Sequence, residues 1–460
     1  MKIRKSKAFT IVELLVVIVV IGILASITIV AYTGVSNRAI SASLQADLSN
    51  ASNSLKIYQA KYGTYPTKVN NNCPILPVAD SGHCLKSSGN NTLSYSSDGL
   101  IFNLANVNSN GTIYANTDAS SPTLHSGVLV ALATPTIAAG NSPRNIVVSP
   151  DGASVYVANY GSNNISMYSR SKITGALTAL VTPTINTGVG PSDVVVSPDG
   201  TSVYATNSSD ATISMYGRNI TTGALTALST PTVVSGASPY RVIVSPDGTS
   251  VYSVNENSNN ISMYSRNKTT GLLSPLSTPT ISTDTDPYSI AISLDGASVY
   301  TVNYTPSTIS LYSRNTTTGL LAPQAIPTMA TGTYPYSVIV SLDGKSVYTT
   351  NTNDDALTMY ARSPTDGSLT ALASPTIYAG GLDPDNITIS PDGTSVYASN
   401  RNSGTVGMFN RNVSSGALTA LSMQSIVAGT TSKGITVSPD GSSVYVVNMG
   451  SNNISMYSRT

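Results

Sequence analysis

The sequence predicts a mostly β protein: a seven-bladed β-propeller of four-stranded blades, preceded by a long N-terminal α-helix and a small α+β head. Three observations predict it. A unit of about 48 residues recurs seven times after residue 126, each copy holds four short strand-like segments, and residues 9–62 carry apolar side chains at helical spacing. Seven copies of a four-stranded unit are typical of a propeller.

The repeat is marked by the segment S-[PL]-D-G-x-S-V-Y, whose aspartates are 48 residues apart with one step of 49. They are Asp151, Asp199, Asp247, Asp295, Asp343, Asp392 and Asp440. In the first copy the predicted strands are 145–149, 154–159, 164–169 and 176–180, separated by turn-forming Pro, Asp, Asn and Gly. The apolar run before each S-P-D-G predicts the innermost strand, and the alternating run after it predicts a half-buried second strand.

The last repeat has three strands, because the sequence given stops at Thr460, and the missing fourth element appears at the other end, as residues 127–133. We expect residues 127–133 to form the outer strand of the last blade. Such a strand would close the ring and remove an open sheet edge.

The N-terminus carries a short basic leader followed by an apolar stretch, Phe9 to Tyr32, that is long enough to cross a bilayer as a helix. Apolar residues continue at helical spacing to Tyr62, so one helix from Phe9 to Tyr62 is predicted, ending before Gly63. Glu13 is the one charge in the apolar stretch, and a carboxylate there needs a cationic partner.

The segment KAFTIVELLVVIVVIGILASI resembles the type III signal of type IV prepilins and pseudopilins. The resemblance implies that a prepilin peptidase cuts between Ala8 and Phe9 and methylates the new amine. It also implies that Glu13 pairs with the Phe9 amine of a neighbouring subunit. The chain departs from the family in having Ala8 where Gly is usual, and in lacking the helix-breaking Pro of many pilins; Gly22 is the weak point that remains.

Residues 63–120 resemble a reduced pilin head, with strand-like runs separated by Asp-Gly and Asn-Gly turns. Cys73 and Cys84 lie in this segment, and in an exported chain they are expected to form a local disulfide. The predicted domains are the leader 1–8, the membrane-spanning and assembly helix 9–62, the head 63–120, a linker 121–126 and the propeller 127–460.

The composition argues against one class of partner. The chain has 23 basic and 22 acidic side chains, and cleavage of a leader with four basic residues leaves 19 against 22. No run of Lys and Arg remains in the mature chain, so nucleic-acid binding by a basic stripe is not expected.

The repeats SVYVANYGSNNISMYSR and SVYVVNMGSNNISMYSR resemble the YVTN family of β-propellers, which is related to the seven-bladed 6-phosphogluconolactonase-like proteins; the resemblance covers residues 127–460. It implies the fold, but one fold hosts many functions. The arginines that end each third strand, beginning with Arg170, are expected to pair with acidic turn residues or to cover apolar surface with their stems.

The segments entering the innermost strands differ between blades while the scaffold repeats, so they form the candidate ligand face. Its residues are Arg144, Asp193, Tyr240, Arg241, Asp286, Tyr288, Tyr334, Tyr336, Asp383, Asp385 and Lys433. Both histidines precede the propeller and no pair of acids repeats, so we expect no catalytic residue, no metal, no cofactor and no enzymatic activity.

The sequence therefore predicts a minor or tip subunit of a type IV pilus-like filament, displaying the propeller for adhesion or ligand binding. Alternatives are a secretion-system pseudopilin, the major subunit of a propeller-decorated filament, and a membrane-tethered lactonase-like enzyme. Expected partners are other pilin subunits, the prepilin peptidase and an extracellular glycan or protein. We expect the chain in the cytoplasmic membrane by a single pass before assembly, then at the cell surface.

Overall fold

The structure is a computed structural model of the chain. It describes residues 127–460 without a gap, and before them residues 51, 54–55, 58, 61–62, 68–70, 73–76, 84–85, 92–97, 102–107 and 113–117. The chain divides into two compact units, Met1–Ser121 and Pro122–Thr460. The two are described separately.

In the first unit, the described residues between 51 and 62 are helical, with Leu55 and Tyr58 buried. Two small antiparallel sheets follow, formed by β1 (Lys68–Asn70) with β2 (Cys73–Leu76), and by β3 (Thr92–Ser97), β4 (Phe102–Val107) and β5 (Ile113–Thr117). The greater part of the predicted helix lies outside the described residues, and the likeness of residues 63–120 to a pilin head stays a prediction.

Within the described part of the chain, no helix is long and apolar enough to cross a membrane. The apolar stretch Phe9 to Tyr32, on which the membrane prediction rests, lies outside that part.

The second unit is a seven-bladed β-propeller of four-stranded antiparallel blades, as predicted. The first strands are β7 (Pro143–Val148), β11 (Pro191–Val196), β15 (Pro239–Val244), β19 (Pro287–Ile292), β23 (Pro335–Val340), β27 (Pro384–Ile389) and β31 (Ser432–Val437). The second strands are β8 (Ser154–Asn159), β12 (Ser202–Asn207), β16 (Ser250–Asn255), β20 (Ser298–Asn303), β24 (Ser346–Asn351), β28 (Ser395–Asn400) and β32 (Ser443–Asn448).

The third strands are β9 (Asn164–Arg170), β13 (Thr212–Arg218), β17 (Asn260–Arg266), β21 (Thr308–Arg314), β25 (Ala356–Arg362), β29 (Thr405–Arg411) and β33 (Asn453–Arg459). The outer strands are β10 (Leu177–Asn186), β14 (Leu225–Val234), β18 (Leu273–Ser282), β22 (Leu321–Ala330), β26 (Leu369–Tyr378), β30 (Leu418–Val427) and β6 (Leu129–Ala138). The first strands of neighbouring blades contact one another in an unbroken ring. They are therefore the innermost strands, as the apolar runs predicted.

Ring closure follows the prediction. β6 pairs antiparallel with β33, from Leu129 opposite Arg459 to Ala138 opposite Asn453. The last blade thus takes three strands from the C-terminal end of the chain and its outer strand from the N-terminal end of the propeller. The strand is longer than the predicted 127–133.

The outer strand of the first blade is longer than predicted and continues through a Thr-Pro pair to Asn186. In the first blade, Ala179 lies opposite Tyr168 and Thr184 opposite Ser166, so residues 180–183 bulge out opposite a single residue. Pro183 lies in that bulge, where the sheet needs no backbone N–H from it. The predicted end of this strand at residue 180 is therefore wrong, since the strand ends at Asn186.

The second strands are buried on both faces rather than half-buried, which corrects the prediction from alternation. All six residues of β8 are buried, as are those of its six counterparts. Neighbouring blades cover both faces, and the tyrosine of each second strand donates its hydroxyl to a glycine carbonyl, as Tyr156 does to Gly223 of the next blade at 2.6 Å. Alternation therefore reflects polar contacts between blades, not exposure to solvent.

Candidate functional site at the channel mouth

The site begins at a bulge in each innermost strand. In the first blade, Pro143 pairs with Asn159 and Asn145 with Ala158, so Arg144 has no partner in the sheet. The same register shift occurs in every blade. Bulges of this kind re-aim a side chain. The residues at this position form the inner ring: Arg144, Ser192, Tyr240, Tyr288, Tyr336, Asp385 and Lys433.

Contacts between blades that are not neighbours show that inner-ring side chains meet across the channel. The hydroxyls of Tyr240 and Tyr336, from the third and fifth blades, hydrogen-bond to each other. Lys433 of the seventh blade donates to the Tyr336 hydroxyl at 3.3 Å. The Arg144 guanidinium of the first blade lies 5.7 Å from the Tyr240 ring centre. The inner ring therefore fills the channel mouth.

A second ring surrounds the first and comes from the residue after each second strand. Its members are Tyr160, Ser208, Glu256, Tyr304, Thr352, Arg401 and Met449. In every blade its backbone N–H donates to the carbonyl of the residue just before the innermost strand, as in Tyr160 to Ser142 at 3.0 Å. This bond holds each outer-ring residue beside the loop that leads into the innermost strand of its blade.

One side of the mouth is aromatic. Tyr334 and Tyr304 stack with ring centres 4.7 Å apart and planes 14° apart. Tyr304 lies 4.9 Å from Tyr288, and Tyr288 lies 4.8 Å from Tyr240 and 5.0 Å from Tyr336. Five tyrosines from the third to fifth blades therefore form a continuous aromatic lane from the rim into the channel.

The other side of the mouth is charged, and three of its cations are paired. Lys433 bonds Asp385 at 2.9 Å, Arg401 bonds Asp383 at 2.6 Å, and Arg241 lies 3.6 Å from Asp193. The first pair is almost completely buried. These pairs fix the side chains in place.

Arg144 differs from these cations. Its guanidinium stacks on Tyr160 at 3.7 Å from the ring centre, and among the residues that the structure describes it makes no ion pair. Its Nε atom is buried without a hydrogen-bond partner. Arg144 is thus a cation of the mouth with an unsatisfied hydrogen-bond donor.

Burial shifts several acid–base equilibria at the mouth. It raises the pKa of Asp193 and of Asp383, although Arg241 and Arg401 oppose the shift. Burial, with the neighbouring Tyr240, places the pKa of Tyr336 well above its usual range. Burial and the charge of Glu256, which accepts the Tyr288 hydroxyl at 3.0 Å, raise the pKa of Tyr288.

The structure places the eleven predicted ligand-face residues in two groups. Eight lie in the innermost strands rather than in loops: Arg144, Asp193, Tyr240, Arg241, Tyr288, Tyr336, Asp385 and Lys433. Asp286, Tyr334 and Asp383 lie in the loops before those strands, and Asp286 accepts a hydrogen bond from Thr305. Tyr240 and Tyr336 are buried against each other, whereas Tyr334 is 38% exposed.

The sequence analysis did not predict the outer ring, and five of its members contact the predicted residues: Tyr160, Glu256, Tyr304, Thr352 and Arg401. A signal was present. Each second strand ends in Asn, and the residue after that Asn differs in almost every repeat. Because the surrounding scaffold repeats, variation at one fixed position indicates a role that the fold does not dictate.

The predicted processing and assembly residues, Ala8, Phe9, Glu13 and Gly22, lie outside the described residues. Cys84 is disulfide-bonded, and Cys73 is the other cysteine of the sequence. No group of three or more His, Cys, Asp or Glu in the described part of the chain could hold a metal ion.

The fold defines the class of the second unit, which is that of seven-bladed β-propellers. Residues 123–188, 180–285, 290–433 and 375–460 match the family described as "Lactonase, 7-bladed beta-propeller". The chain belongs to this lactonase family. Residues 3–29 match the prokaryotic N-terminal methylation motif. No curated protein matches the sequence of the chain.

Solved structures agree on the fold. A putative 6-phosphogluconolactonase from Bacteroides uniformis is 21% identical, with a TM-score of 0.54 over 72% of this chain and 93% of its own. A second, from Bacteroides fragilis, is 19% identical, with a TM-score of 0.55 over 74% and 94%. The periplasmic gluconolactonase of Pseudomonas aeruginosa is 17% identical, with a TM-score of 0.54 over 78% and 99%.

The family corrects one prediction. The expectation that the chain is not an enzyme is wrong at the level of the family, because the chain belongs to a lactonase family. That expectation rested on histidines and on acid pairs that repeat along the sequence. The mouth instead assembles acids, cations and phenols from different blades, and a search for repeating pairs cannot detect such a set.

Proposed function

We propose that this protein is a pilin-type subunit that carries a lactonase-family propeller to the cell surface, where the channel mouth binds a ligand. The methylation motif at residues 3–29 supports the pilin part. The single observation that carries the ligand part is Arg144, a cation without an acidic partner among the described residues, beside a lane of five tyrosines.

In this proposal the leader 1–8 is removed, residues 9–62 form the membrane and assembly helix, 63–120 the head, 121–126 a linker, and 127–460 the displayed domain. The Phe9 amine of one subunit pairs with Glu13 of the next. A head domain of this size is bulky for close helical packing, which favours a minor or tip subunit over the major subunit of a filament. A secretion pseudopilin is the other assembly that such an N-terminus serves.

Substitution of Glu13 tests the assembly part. Glu13→Val makes membrane insertion easier but leaves the partner amine without its carboxylate. We expect the variant in the membrane fraction and absent from filaments sheared off the cells, with immunogold label on fibres in the wild type only. A variant recovered in sheared fibres at the wild-type level would overturn assembly through Glu13.

Arg144→Gln tests the ligand part. It removes the unpaired charge and leaves a shorter, neutral polar side chain, so binding to extracellular glycans or matrix proteins should fall. The matched control is Lys172→Gln, which changes an exposed cation far from the mouth. Equal binding by wild type and both variants would exclude the mouth as the ligand site.

A second candidate activity, lactone hydrolysis in the same mouth, is favoured by Asp383. Its Oδ2 is held by Arg401, its Oδ1 is buried without a hydrogen-bond partner, and burial raises its pKa. In this reaction Asp383 takes a proton from water, and the hydroxide attacks the lactone carbonyl carbon. The ring C–O bond then breaks, and the leaving alkoxide regains that proton.

Hydrolysis is measured on the purified protein with a panel of sugar lactones, by release of acid at constant pH. Asp383→Asn should abolish the rate. Asp286→Asn is the matched control, because Asp286 holds the same loop position two blades away. The rate should rise with pH through the raised pKa of Asp383, since the base works when deprotonated. Absence of any rate above buffer would exclude this candidate and leave the binding proposal standing.

A further inference from the structure

We infer that the ligand of the mouth is an acidic glycan of more than one sugar, with its charged group at Arg144 and an outer sugar on Tyr334. The inference rests on the proposed binding function and names its ligand class. It follows from the aromatic lane and from the distribution of charge around it.

The outer end of the lane is a stacked and accessible aromatic pair. Tyr334 is 38% exposed and lies face to face with Tyr304 at 4.7 Å. Aromatic rings with one open face bind the apolar face of a sugar by surface burial. The inner rings, Tyr240 and Tyr336, are buried against each other, so the accessible part of the lane lies at Tyr288, Tyr304 and Tyr334.

The loop does not require an aromatic side chain at Tyr334. Its backbone is left-handed, with φ of 56°, but the equivalent residue is left-handed in all seven blades. Small residues hold that position elsewhere, including Ser142, Gly190 and Ser238. The left-handed conformation disfavours a bulky side chain. The fold therefore gives no reason for a tyrosine at position 334. A side chain that the backbone conformation disfavours is typical of a residue kept for binding.

The inner end of the lane is cationic. Arg144 faces Tyr240 at 5.7 Å and stacks on Tyr160, while Lys433, Arg401 and Arg241 are each engaged by an aspartate. An anionic group entering the mouth thus finds Arg144 with donors to spare. A carboxylate suits a guanidinium because two parallel hydrogen bonds form.

The path along the lane is longer than a single sugar. Three ring-to-ring steps of 4.7, 4.9 and 4.8 Å lead from Tyr334 to Tyr240, and the Arg144 guanidinium lies a further 5.7 Å from the Tyr240 ring centre. A ligand that reaches both ends must carry several rings. Tyr304 and Tyr334, at the accessible end of the lane, bear hydroxyls, which suits a hydroxyl-rich ligand better than an apolar one.

The test is calorimetry on the purified full chain with uronic acid oligomers of one to four sugars, each also as its methyl ester. Esterification removes the charge and keeps the shape. We expect affinity to rise about fivefold from one sugar to three, and to fall about tenfold on esterification. Tyr334→Ser should remove the gain with length and keep the affinity for one sugar. Arg144→Gln should erase the preference for the free acid.

The control is Tyr378→Ser, which removes another exposed tyrosine from an outer strand. If length has no effect on affinity, or if Tyr334→Ser matches wild type at every length, the inference is wrong while the mouth stays a ligand site. Equal binding of the free acid and its methyl ester would show that the ligand need not be acidic. If matrix proteins bind through Arg144 and no sugar oligomer binds, the ligand is a protein and the inference of a glycan is wrong. No binding of any probe overturns both the inference and the proposed function.

Discussion

Arg170 of the first blade forms a two-pronged ion pair with Asp440 of the last blade, with Nη1–Oδ2 at 2.8 Å and Nη2–Oδ1 at 3.0 Å. The arginine side chain is fully buried, and its Nε donates to the Tyr445 hydroxyl at 2.8 Å. An arginine at the same position pairs with the aspartate of the preceding blade at each of the other six junctions. The ring is thus closed by side chains as well as by β6.

Removal of one of these arginines should loosen one blade junction. Arg218→Met deletes the bonds to Asp151 at 2.7 Å and to the Tyr156 hydroxyl at 2.8 Å, both made by a guanidinium with no solvent exposure. We expect a loss of about 3 kcal/mol in the free energy of unfolding. Urea unfolding of the propeller measures it. Lys172→Met, at an exposed site, should change stability by less than about 0.5 kcal/mol.

The same ion pairs should make the propeller sensitive to acid. Burial works to raise the pKa of Asp392, but the charge of Arg459 and hydrogen bonds from Ser390 and Thr394 outweigh it and hold that pKa at about 2. The pKa of Asp247 is also about 2, because its hydrogen bonds likewise outweigh burial. Below about pH 4 the unfolded chain binds more protons than the folded chain, so stability falls.

These aspartates should therefore leave the melting temperature unchanged above about pH 5. The melting temperature should drop between about pH 4 and pH 2. The double variant Asp247→Asn/Asp392→Asn starts from lower stability but should show a shallower acid drop, since two of the contributing groups are gone. An acid drop as steep as that of wild type would show that these aspartates do not carry it.

The sixth blade has one extra residue in a loop and a glycine where most blades have serine, and this combination allows a sharper test of packing. Five residues, not four, connect β26 to β27, and this accounts for the single repeat step of 49. The extra length lets Asn400 Nδ2 bond the Ala379 carbonyl at 3.3 Å, where Asn159 of the first blade bonds the Ser166 hydroxyl at 2.8 Å. Gly407 stands at that serine position, and a Cβ there would overlap the Ala379 carbonyl oxygen.

Gly407→Ser should therefore destabilise the propeller by about 3 kcal/mol, even though serine holds this position in five of the other six blades. Gly217→Ser is the matched control: it also restores a residue of other blades, and its Cβ would meet nothing closer than 3.6 Å. Deletion of Ala379 in the Gly407→Ser background should recover most of the loss. Thermal unfolding distinguishes these outcomes, and an additive double variant would contradict the coupling.

Thr301 offers a stabilising substitution. It is fully buried in β20, and its hydroxyl has no hydrogen-bond partner, whereas Val157 and Val446 hold the same position in other blades. Thr301→Val should raise the free energy of unfolding by about 1 kcal/mol, because an unpaired buried hydroxyl is removed at constant shape. Thr349→Val should bring no gain, since the Thr349 hydroxyl donates to Asn351 at 3.3 Å.

The repeats made the propeller, the strand order and the closing strand predictable, because the positions that repeat are those that every blade needs. The continuation of the first outer strand past residue 180 was not predictable, since Pro183 is tolerated only through a bulge that pairing with β9 creates. Alternation likewise did not reveal that neighbouring blades cover both faces of β8.

The candidate site was predicted in part. Variation between repeats identified Arg144, Tyr240 and Tyr336, but not that the two tyrosines bond to each other across the channel. That contact depends on a bulge in each of two blades that are not neighbours, and no local pattern records it. The unpaired state of Arg144 is also a property of three-dimensional placement, because its sequence neighbours carry no charge.

The central claim is that a pilin-type N-terminus carries this propeller to the cell surface, and the mature N-terminus tests it most directly. The chain should be sheared from intact cells and its N-terminal peptide analysed by mass spectrometry. The account predicts a peptide that begins at Phe9 and carries one methyl group on its amine, in keeping with the motif at residues 3–29. A surface form that still begins at Met1 would contradict it.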